Sequence, residues 1–212
     1  VEHAFADMKM FWNQRSRYEQ YKLVHKRGMI FHGPPGTGKT ASVMMLGALV
    51  VANGGAVIMP DNDKTFVSAT EALRTSEKGR PLMFVLEELD EFLNEHEGQV
   101  LSILDGEGSP TNSMFVATTN NLKDLADNIV KRPGRFDQVI EVPFPNDKVR
   151  GAYVVRLLKR AYSDEQQISE RATAIVGMTA GFSLAHVKEV FVASEILGEP
   201  LASVCKRFNL QS

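Results

Sequence analysis

The sequence predicts an α/β fold in which a five-stranded parallel sheet lies between helices, followed by a small all-helical domain. Three observations support this prediction: short apolar runs without polar alternation, helical segments between those runs, and the absence of further strand patterns after residue 146. Parallel strands that helices cover on two sides are apolar on both faces. The predicted strands are 29–32, 56–59, 82–86, 114–117 and 139–142.

Helices are predicted between the strands, over 39–52, 64–76, 91–104 and 122–130. In such a doubly wound sheet, ligands bind at the carboxyl ends of the strands. The chain then continues as four helices over 147–161, 164–176, 183–197 and 200–208, each beginning at an Asp, a Ser or a Pro. We therefore predict a lead-in over 1–27, an α/β domain over 28–146 and a small helical domain over 147–212.

The lead-in mixes aromatic with basic side chains, including Trp12, Tyr18 and Arg17. Such a mixture can stack and clamp single-stranded nucleic acid. An amphipathic helix and turn lying over the main domain is the other interpretation, because Phe5, Met8, Phe11 and Trp12 recur at helical spacing.

Composition limits the classes of function. The 212 residues carry 24 basic and 26 acidic side chains, so net charge supports neither nucleic acid nor anionic lipid as a partner. One cysteine, Cys205, excludes an internal disulfide framework and fits a reducing compartment such as the cytoplasm. We expect Cys205 to be a buried apolar residue. The longest apolar run, 41–52, is too short to span a membrane.

A phosphate-binding loop is predicted over 33–40, where the chain reads Gly-Pro-Pro-Gly-Thr-Gly-Lys-Thr. This motif follows an apolar strand and opens a helix, so its backbone N–H groups can face an anion. Lys39 is expected at the β and γ phosphates, and the Thr40 hydroxyl at Mg²⁺. A Gly-Pro surface turn is the alternative. The predicted nucleotide contacts in this segment are Gly33, Pro35, Gly36, Thr37, Gly38, Lys39, Thr40 and Ala41.

Two adjacent acids, Glu87 and Glu88, follow the predicted strand 82–86. Neighbouring strand residues point to opposite faces, so one carboxylate can serve a metal while the other polarises a water molecule. We assign Glu87 to the water shell of Mg²⁺ and Glu88 to the attacking water. The alternative is a solvated helix start, where acids are also common.

Four motifs in this order resemble the AAA+ ATPases, specifically the AAA subfamily proper, over about residues 26–200. They are the phosphate loop, the strand ending in Glu87 and Glu88, Ala117-Thr-Thr-Asn120, and Arg132-Pro-Gly-Arg-Phe-Asp137. The resemblance implies a P-loop NTPase sheet with a helical lid, assembly into a homo-oligomeric and usually hexameric ring, and ATP hydrolysis at subunit interfaces.

The resemblance also assigns roles to single residues. Asn120 resembles the asparagine that holds the attacking water, although Thr119-Asn120-Asn121 is also a turn signal. Arg132 and Arg135 resemble two arginine fingers that reach the neighbouring subunit's γ-phosphate, although a basic surface turn has the same sequence. Ala185 lies in 181–185, which resembles the lid segment that approaches adenine and ribose.

Two features depart from the family pattern: Glu87 stands where most relatives have Asp, and Leu184 replaces a lid glycine. No arginine stands where other AAA+ clades place a sensor-2 arginine. The acid pair and 101–107 bear a weaker resemblance to the mitochondrial subfamily that translocates the folded Rieske protein. Phe66 is the nearest candidate for a pore-loop aromatic, but the segment 66–68 lacks the expected glycine, and Phe66 is expected to be a core residue.

The sequence thus predicts a Mg²⁺-dependent ATPase ring that remodels or translocates a protein substrate. A nucleotide-gated structural ring with slow hydrolysis and a DNA-linked motor are the alternatives. Residues 1–147 carry 15 basic and 20 acidic side chains, whereas residues 148–212 carry nine basic and six acidic ones. Opposite charges on the two parts would steer assembly and make it sensitive to salt.

Overall fold

The computed structural model describes residues 2–130 and 132–209. They form two compact units: the first contains the chain up to Gly33 together with Lys39–Val142, and the second contains Pro34–Gly38 together with the chain from Pro143. The outermost residues of the predicted lead-in and lid, residue 1 and residues 210–212, lie outside the described residues.

A parallel sheet forms the centre of the first unit. Within the described residues it has five strands in the order β2-β3-β4-β1-β5. This confirms the predicted sheet, with strand ends that differ by at most three residues. The strands are β1 Lys26–His32, β2 Ala56–Ile58, β3 Leu82–Leu86, β4 Ser113–Thr119 and β5 Gln138–Glu141.

The apolar runs divide between two hydrophobic cores, one on each face of the sheet. In β3, Leu82, Phe84 and Leu86 contribute to one core, and Met83 and Val85 contribute to the other. All five side chains are at most 1% exposed. Side chains of a strand alternate between faces, so burial on both faces requires an apolar residue at every position.

Helices cover both faces of this sheet. Those of the first unit are α1 Glu2–Asn13, α2 Arg15–Gln20, α3 Lys39–Ala52, α4 Asp63–Ser76, α5 Leu89–Phe92, α6 Glu97–Asp105 and α7 Asp127–Val130. The bounds of α3 are those predicted. Phe66 on α4 is fully buried among Phe84 and Phe115, which confirms the expectation that it is a core residue.

The predicted continuous helix over 91–104 is wrong, because the chain breaks between α5 and α6. The Asp63 carboxylate accepts hydrogen bonds from the backbone N–H groups of Asn94 and His96. Burial alone would raise the pKa of Asp63, but the hydrogen bonds from His96, Lys64 and Asn94 outweigh it and lower that pKa. Asp63 therefore satisfies amides that would otherwise be unpaired in the break.

The predicted helix over 122–130 is also interrupted. A short 3₁₀ turn, Leu122–Asp124, comes first, and α7 begins three residues later. The Asn121 side chain accepts a hydrogen bond from Lys123 N at 3.2 Å and donates one to Asp124 Oδ1 at 2.9 Å. Asn121 therefore fixes a separate turn before α7.

The lead-in packs as the amphipathic-helix interpretation predicts. Ala4, Met8 and Phe11 of α1 are buried in one of the two sheet cores. The Phe11 ring stacks on His25 with a centroid distance of 4.1 Å, and Trp12 contacts Phe11 edge-on at 4.8 Å. These aromatic side chains are committed to intramolecular packing.

The second unit is helical, with α8 Asp147–Leu158, α9 Glu165–Met178, α10 Leu184–Phe191, a π-helical turn Val192–Ile196 and α11 Leu201–Asn209. The predicted helix over 183–197 is therefore helical over 184–196, but its last turn is π-helical instead of α-helical. Asn146, Asp164 and Ser183 cap α8, α9 and α10 with side-chain hydrogen bonds. Cys205 is 2% exposed in this unit's core, as expected.

A search of the described helices for a membrane-spanning segment found none with the necessary length and apolarity.

Candidate active site

The phosphate loop follows β1 directly. Its first residue, Gly33, has a φ of +149°, and a Cβ there would lie 2.2 Å from the Val142 carbonyl oxygen. Only glycine fits this position. Lys39, the first residue of α3, is 8% exposed, and its Nζ donates to the Gly33 carbonyl oxygen at 2.6 Å. The lysine therefore folds back onto the start of the loop.

Residues 34–38 of the loop belong to the second compact unit. The Thr37 hydroxyl donates to the Pro34 carbonyl at 2.9 Å, and the Gly36 carbonyl accepts from Ala185 N at 3.1 Å. A Cβ at Gly36 would lie 2.8 Å from both Ala185 Cβ and Ser183 Oγ. Ala185 therefore contacts the loop backbone, while Pro35 and Ala41 are exposed.

Lys39 also reaches the carboxyl edge of the sheet. Its Nζ donates to Asn120 Oδ1 at 2.9 Å, at the end of β4. Burial lowers the pKa of Lys39, and the carboxylates of Glu87 and Glu88 partly oppose this shift. Because solvent screens a buried charge less, this ammonium can interact strongly with an anion.

Two carboxylates follow β3 and have different environments. Glu87 Oε2 accepts hydrogen bonds from the hydroxyls of Thr40 and Thr118, each at 3.0 Å. Glu87 Oε1 is buried and has no hydrogen-bond partner within the described part of the chain. Glu88 is exposed and adopts a left-handed conformation with φ 49° and ψ 60°. Such a conformation costs a non-glycine residue about 1–3 kcal/mol.

The structure separates the two asparagines of the Thr119-Asn120-Asn121 signal. Asn121 forms the turn, through its hydrogen bonds with Lys123 and Asp124. Asn120 is exposed and its side-chain oxygen binds Lys39. The turn signal thus belongs to Asn121, and Asn120 joins the cluster around the phosphate loop.

The two candidate arginine fingers differ in accessibility. Arg135 is 3% exposed. Its Nε and one terminal nitrogen bind the Asp105 carboxylate at 2.8 and 2.9 Å, and its other terminal nitrogen donates to the Asn128 carbonyl at 2.7 Å. The Arg132 side chain is 58% exposed and lies 3.3 Å from Asp105 Oδ2. Arg135 is therefore held within its own chain, whereas Arg132, which also pairs with Asp105, is largely exposed.

The residues that sequence reasoning missed are Asp105, Lys26 and Thr118. The Lys26 ammonium donates to the carbonyls of Leu104 and Gly134, which ties the end of α6 to the loop between the two arginines. Burial lowers the pKa of Lys26, and Asp137 and Asp105 oppose that shift. No local pattern distinguishes these residues, because each acts on a partner distant in sequence.

The residues present fit Mg²⁺. No group of three or more His, Cys, Asp or Glu side chains that could hold a metal occurs among residues 2–130 and 132–209. Mg²⁺ commonly binds through one or two protein oxygens, together with phosphates and several water molecules. The Thr40 hydroxyl and the Glu87 carboxylate supply oxygen atoms of this kind.

The fold and the loop define a P-loop NTPase. The sequence model of one protein family, the ATPase family associated with various cellular activities (AAA), matches residues 29–144 of this chain. A crystal structure titled as the FIGL-1 AAA domain in complex with ADP superposes with a TM-score of 0.62 and 21% identity, covering 79% of this chain and 60% of that one.

Curated relatives agree with this class. The ATPase family gene 2 protein of Saccharomyces cerevisiae is 26% identical over 86% of this chain and 26% of its own length. The proteasome-activating nucleotidase of Aeropyrum pernix is 30% identical over 78% and 44%. The ATP-dependent zinc metalloprotease FtsH 2 of Sphaerobacter thermophilus is 28% identical over 88% and 31%.

The chain belongs to the ATPase family associated with various cellular activities, AAA. It spans less than half the length of each of these three relatives.

Proposed function

We propose that this chain hydrolyses ATP with Mg²⁺ in a homo-oligomeric ring and couples hydrolysis to the remodelling of a protein substrate. One observation carries the catalytic part of the proposal. Hydrogen bonds link Gly33, Lys39 and Asn120, and Thr40 and Glu87, at the carboxyl edge of the sheet. Phosphate, metal and water ligands are therefore available at the edge where α/β sheets bind substrates.

The roles follow from the chemistry of each group. Lys39 supplies a positive charge for the transferred phosphate. Thr40 and Glu87 would hold Mg²⁺, which neutralises charge on the phosphate oxygens when bound. Glu88 is exposed and ionisable, so it can accept a proton from the attacking water. Asn120 offers a neutral amide that can orient this water without taking its proton.

Glu88→Gln tests this assignment, with Glu91→Gln as the matched control because Glu91 is also exposed and lies three residues further along. Loss of a general base lowers turnover by about 10²- to 10⁴-fold. We expect Glu88→Gln to bind ATP with wild-type affinity and release almost no phosphate, and Glu91→Gln to keep wild-type turnover. Full activity of Glu88→Gln would refute the role of Glu88.

Ring formation is supported by family membership and by the two arginines. Arg132 is the more exposed of the pair, so we assign it the contact with a neighbouring subunit's phosphate, and we assign Arg135 to holding the loop through Asp105. An always-charged guanidinium fork suits phosphate oxygens. An arginine finger contributes about 10³- to 10⁵-fold to turnover in related phosphoryl transfers.

Mixing two inactive variants tests whether Arg132 acts across an interface. Arg132→Ala subunits retain Glu88, and Glu88→Gln subunits retain Arg132. If one subunit supplies each group, mixed rings regain some complete sites and therefore some activity. If both groups act within one chain, the mixture stays as inactive as its components.

The protein-substrate part rests on relatives. One curated relative is named for activating the proteasome and another as an ATP-dependent protease. Phe66, the nearest candidate for a pore-loop aromatic, is fully buried, so the proposal does not include threading by this residue. ATP turnover that rises when an unfolded protein is added would support remodelling.

The burial of Phe66 favours one second candidate, a nucleotide-gated structural ring with slow hydrolysis. In that case ATP would set the oligomeric state, and turnover would stay slow with or without protein substrates. Measuring phosphate release and particle mass in the same samples distinguishes the two functions. Brisk, substrate-stimulated release contradicts the structural ring.

A further inference from the structure

Thr118 lies at the centre of the candidate site and has no part in the chemistry assigned so far. It belongs to β4, which runs between β3 and β1, and is 1% exposed. Leu86 pairs with Ala117 in the parallel register, so Thr118 stands beside Glu87 where β3 ends. The register therefore brings one hydroxyl next to both carboxylate-bearing residues.

The Thr118 hydroxyl makes two hydrogen bonds of opposite sense. It donates to Glu87 Oε2 at 3.0 Å and accepts from Glu88 N at 3.0 Å. A hydroxyl has one hydrogen to donate and lone pairs to accept with. Because its hydrogen is used by Glu87, its lone pairs face the amide of Glu88, so one side chain is bound to both residues at once.

The bond to the Glu88 amide acts on a strained residue. Glu88 is in the left-handed region, and its carbonyl accepts from Glu91 N at 2.8 Å and Phe92 N at 2.9 Å. Hydrogen bonds thus hold the backbone of Glu88 on both sides, from Thr118 at the amide and from α5 at the carbonyl. These bonds fix the direction in which the Glu88 side chain leaves the backbone.

The hydrogen bond to Glu87 restrains a side chain that is one methylene longer than Asp. Glu has one more rotatable bond than Asp, so an untethered Glu87 would sample more conformations. Hydroxyls of Thr40 and Thr118 both bind Oε2, whereas Oε1 has no hydrogen-bond partner among residues 2–130 and 132–209. The pair of threonines therefore selects which carboxylate oxygen is available to a metal or its water.

We propose that Thr118 is a positioning residue whose one hydroxyl positions two carboxylates. It holds the Glu87 carboxylate, on the metal side, directly, and it orients the Glu88 carboxylate, on the water side, through the Glu88 amide. This inference rests on the proposed function for the roles of the two carboxylates. Thr118 acts through them and is not itself catalytic. Removal of its hydroxyl should disturb metal dependence and turnover together, with little effect on ATP affinity measured without Mg²⁺.

Three variants test the proposal. Thr118→Val removes the hydroxyl at constant shape, and Thr118→Ser keeps the hydroxyl while removing the methyl group. Thr119→Val is the matched control, because Thr119 is also buried in β4 but its hydroxyl bonds Asp90 at 2.9 Å. We expect Thr118→Val to lower kcat by about 10- to 100-fold, as partial loss of general-base catalysis would, and to raise the Mg²⁺ concentration for half-maximal rate.

Thr118→Ser should retain kcat within about threefold of wild type, because it can make both hydrogen bonds. Thr119→Val should lose stability but keep kcat. Equal losses of kcat in Thr118→Val and Thr118→Ser would show that packing alone matters and would overturn the proposal. Unchanged kcat and Mg²⁺ dependence in Thr118→Val would overturn it as well.

Hydrogen exchange of the Glu88 amide in the ligand-free protein is the second readout and needs no turnover. We expect exchange to be at least about tenfold faster in Thr118→Val than in wild type, and nearly unchanged in Thr118→Ser, since a lost hydrogen bond exposes the amide. Equal exchange in all three proteins overturns the positioning role. A wild-type protein with no ATPase activity refutes the proposed function instead, and the exchange data still decide the position of Glu88.

Discussion

Asp105→Asn should destabilise the first compact unit more than any ordinary surface substitution. The Asp105 carboxylate is 20% exposed and holds the guanidinium of Arg135, whose side chain is 4% exposed, in two hydrogen bonds. Removing one partner of a buried ion pair costs about 3–5 kcal/mol, because the other charge stays buried without compensation. The partial exposure of Asp105 places the expected loss near the lower end, about 3 kcal/mol.

Urea unfolding followed by the fluorescence of Trp12 measures this loss. Trp12 is the one tryptophan of the chain and packs against a core of the first unit, so its signal reports the unit that contains Asp105. A loss of 3 kcal/mol corresponds to a fall in Tm of about 6–12 °C. Glu19→Gln is the control, because its ion pair with Arg15 is exposed and should contribute less than about 1 kcal/mol.

A double variant and an acid titration sharpen the test. Asp105→Ala combined with Arg135→Met removes both charges and should be more stable than Asp105→Ala alone. The hydrogen bond from Arg135 lowers the pKa of Asp105. This stabilisation is therefore present above the ordinary Asp pKa of about 4 and is lost as pH falls through the lower folded pKa. If Asp105→Asn lost no more stability than Glu19→Gln, the ion pair of Asp105 and Arg135 would not hold the loop that contains Arg135.

Two further predictions concern the first unit. Burial lowers the pKa of His25 below its ordinary value of 6.5. Unfolding therefore takes up protons, and the stability of the protein should fall as pH drops from 6.5 towards the folded pKa. In urea titrations at several pH values, His25→Gln should flatten this dependence, whereas His3→Gln, at an exposed histidine, should leave it unchanged. Phe66→Ala should cost about 3–5 kcal/mol of stability with unchanged ATP affinity, whereas a small loss of stability would contradict its place in the core.

The sequence predicted the sheet well because burial on both faces requires apolar residues at consecutive positions, and this pattern is visible within each strand. Each residue of β3 is apolar, and the helix α3 has the bounds that were predicted. No local pattern in the sequence predicts the break between α5 and α6. It depends on Asp63, which lies more than 30 residues away in sequence from the amides that it binds.

The same distinction applies to the candidate site. Motif spacing reflects the geometry of one loop or one strand end, so it predicted the places of Gly33, Lys39, Thr40 and Glu87. Thr118 could not be predicted, since a threonine in a strand is ordinary and its role depends on the register of β4 against β3.

The two arginines show a further limit of sequence reasoning. A shared motif predicts the same role for Arg132 and Arg135. Asp105, from a separate helix, binds the buried Arg135 at 2.8 Å and lies 3.3 Å from the largely exposed Arg132. Such differences arise from tertiary partners, which the motif does not contain.

Phosphate release at saturating ATP, measured while Mg²⁺ is titrated, tests whether this chain hydrolyses ATP with Mg²⁺ and with Glu88 as the base. For the wild-type chain we predict a rate that is negligible in excess EDTA and rises to a plateau with Mg²⁺. Glu88→Gln should bind ATP but stay at least about a hundredfold slower at every Mg²⁺ concentration. A rate that does not depend on Mg²⁺, or equal rates in the two proteins, would contradict the account.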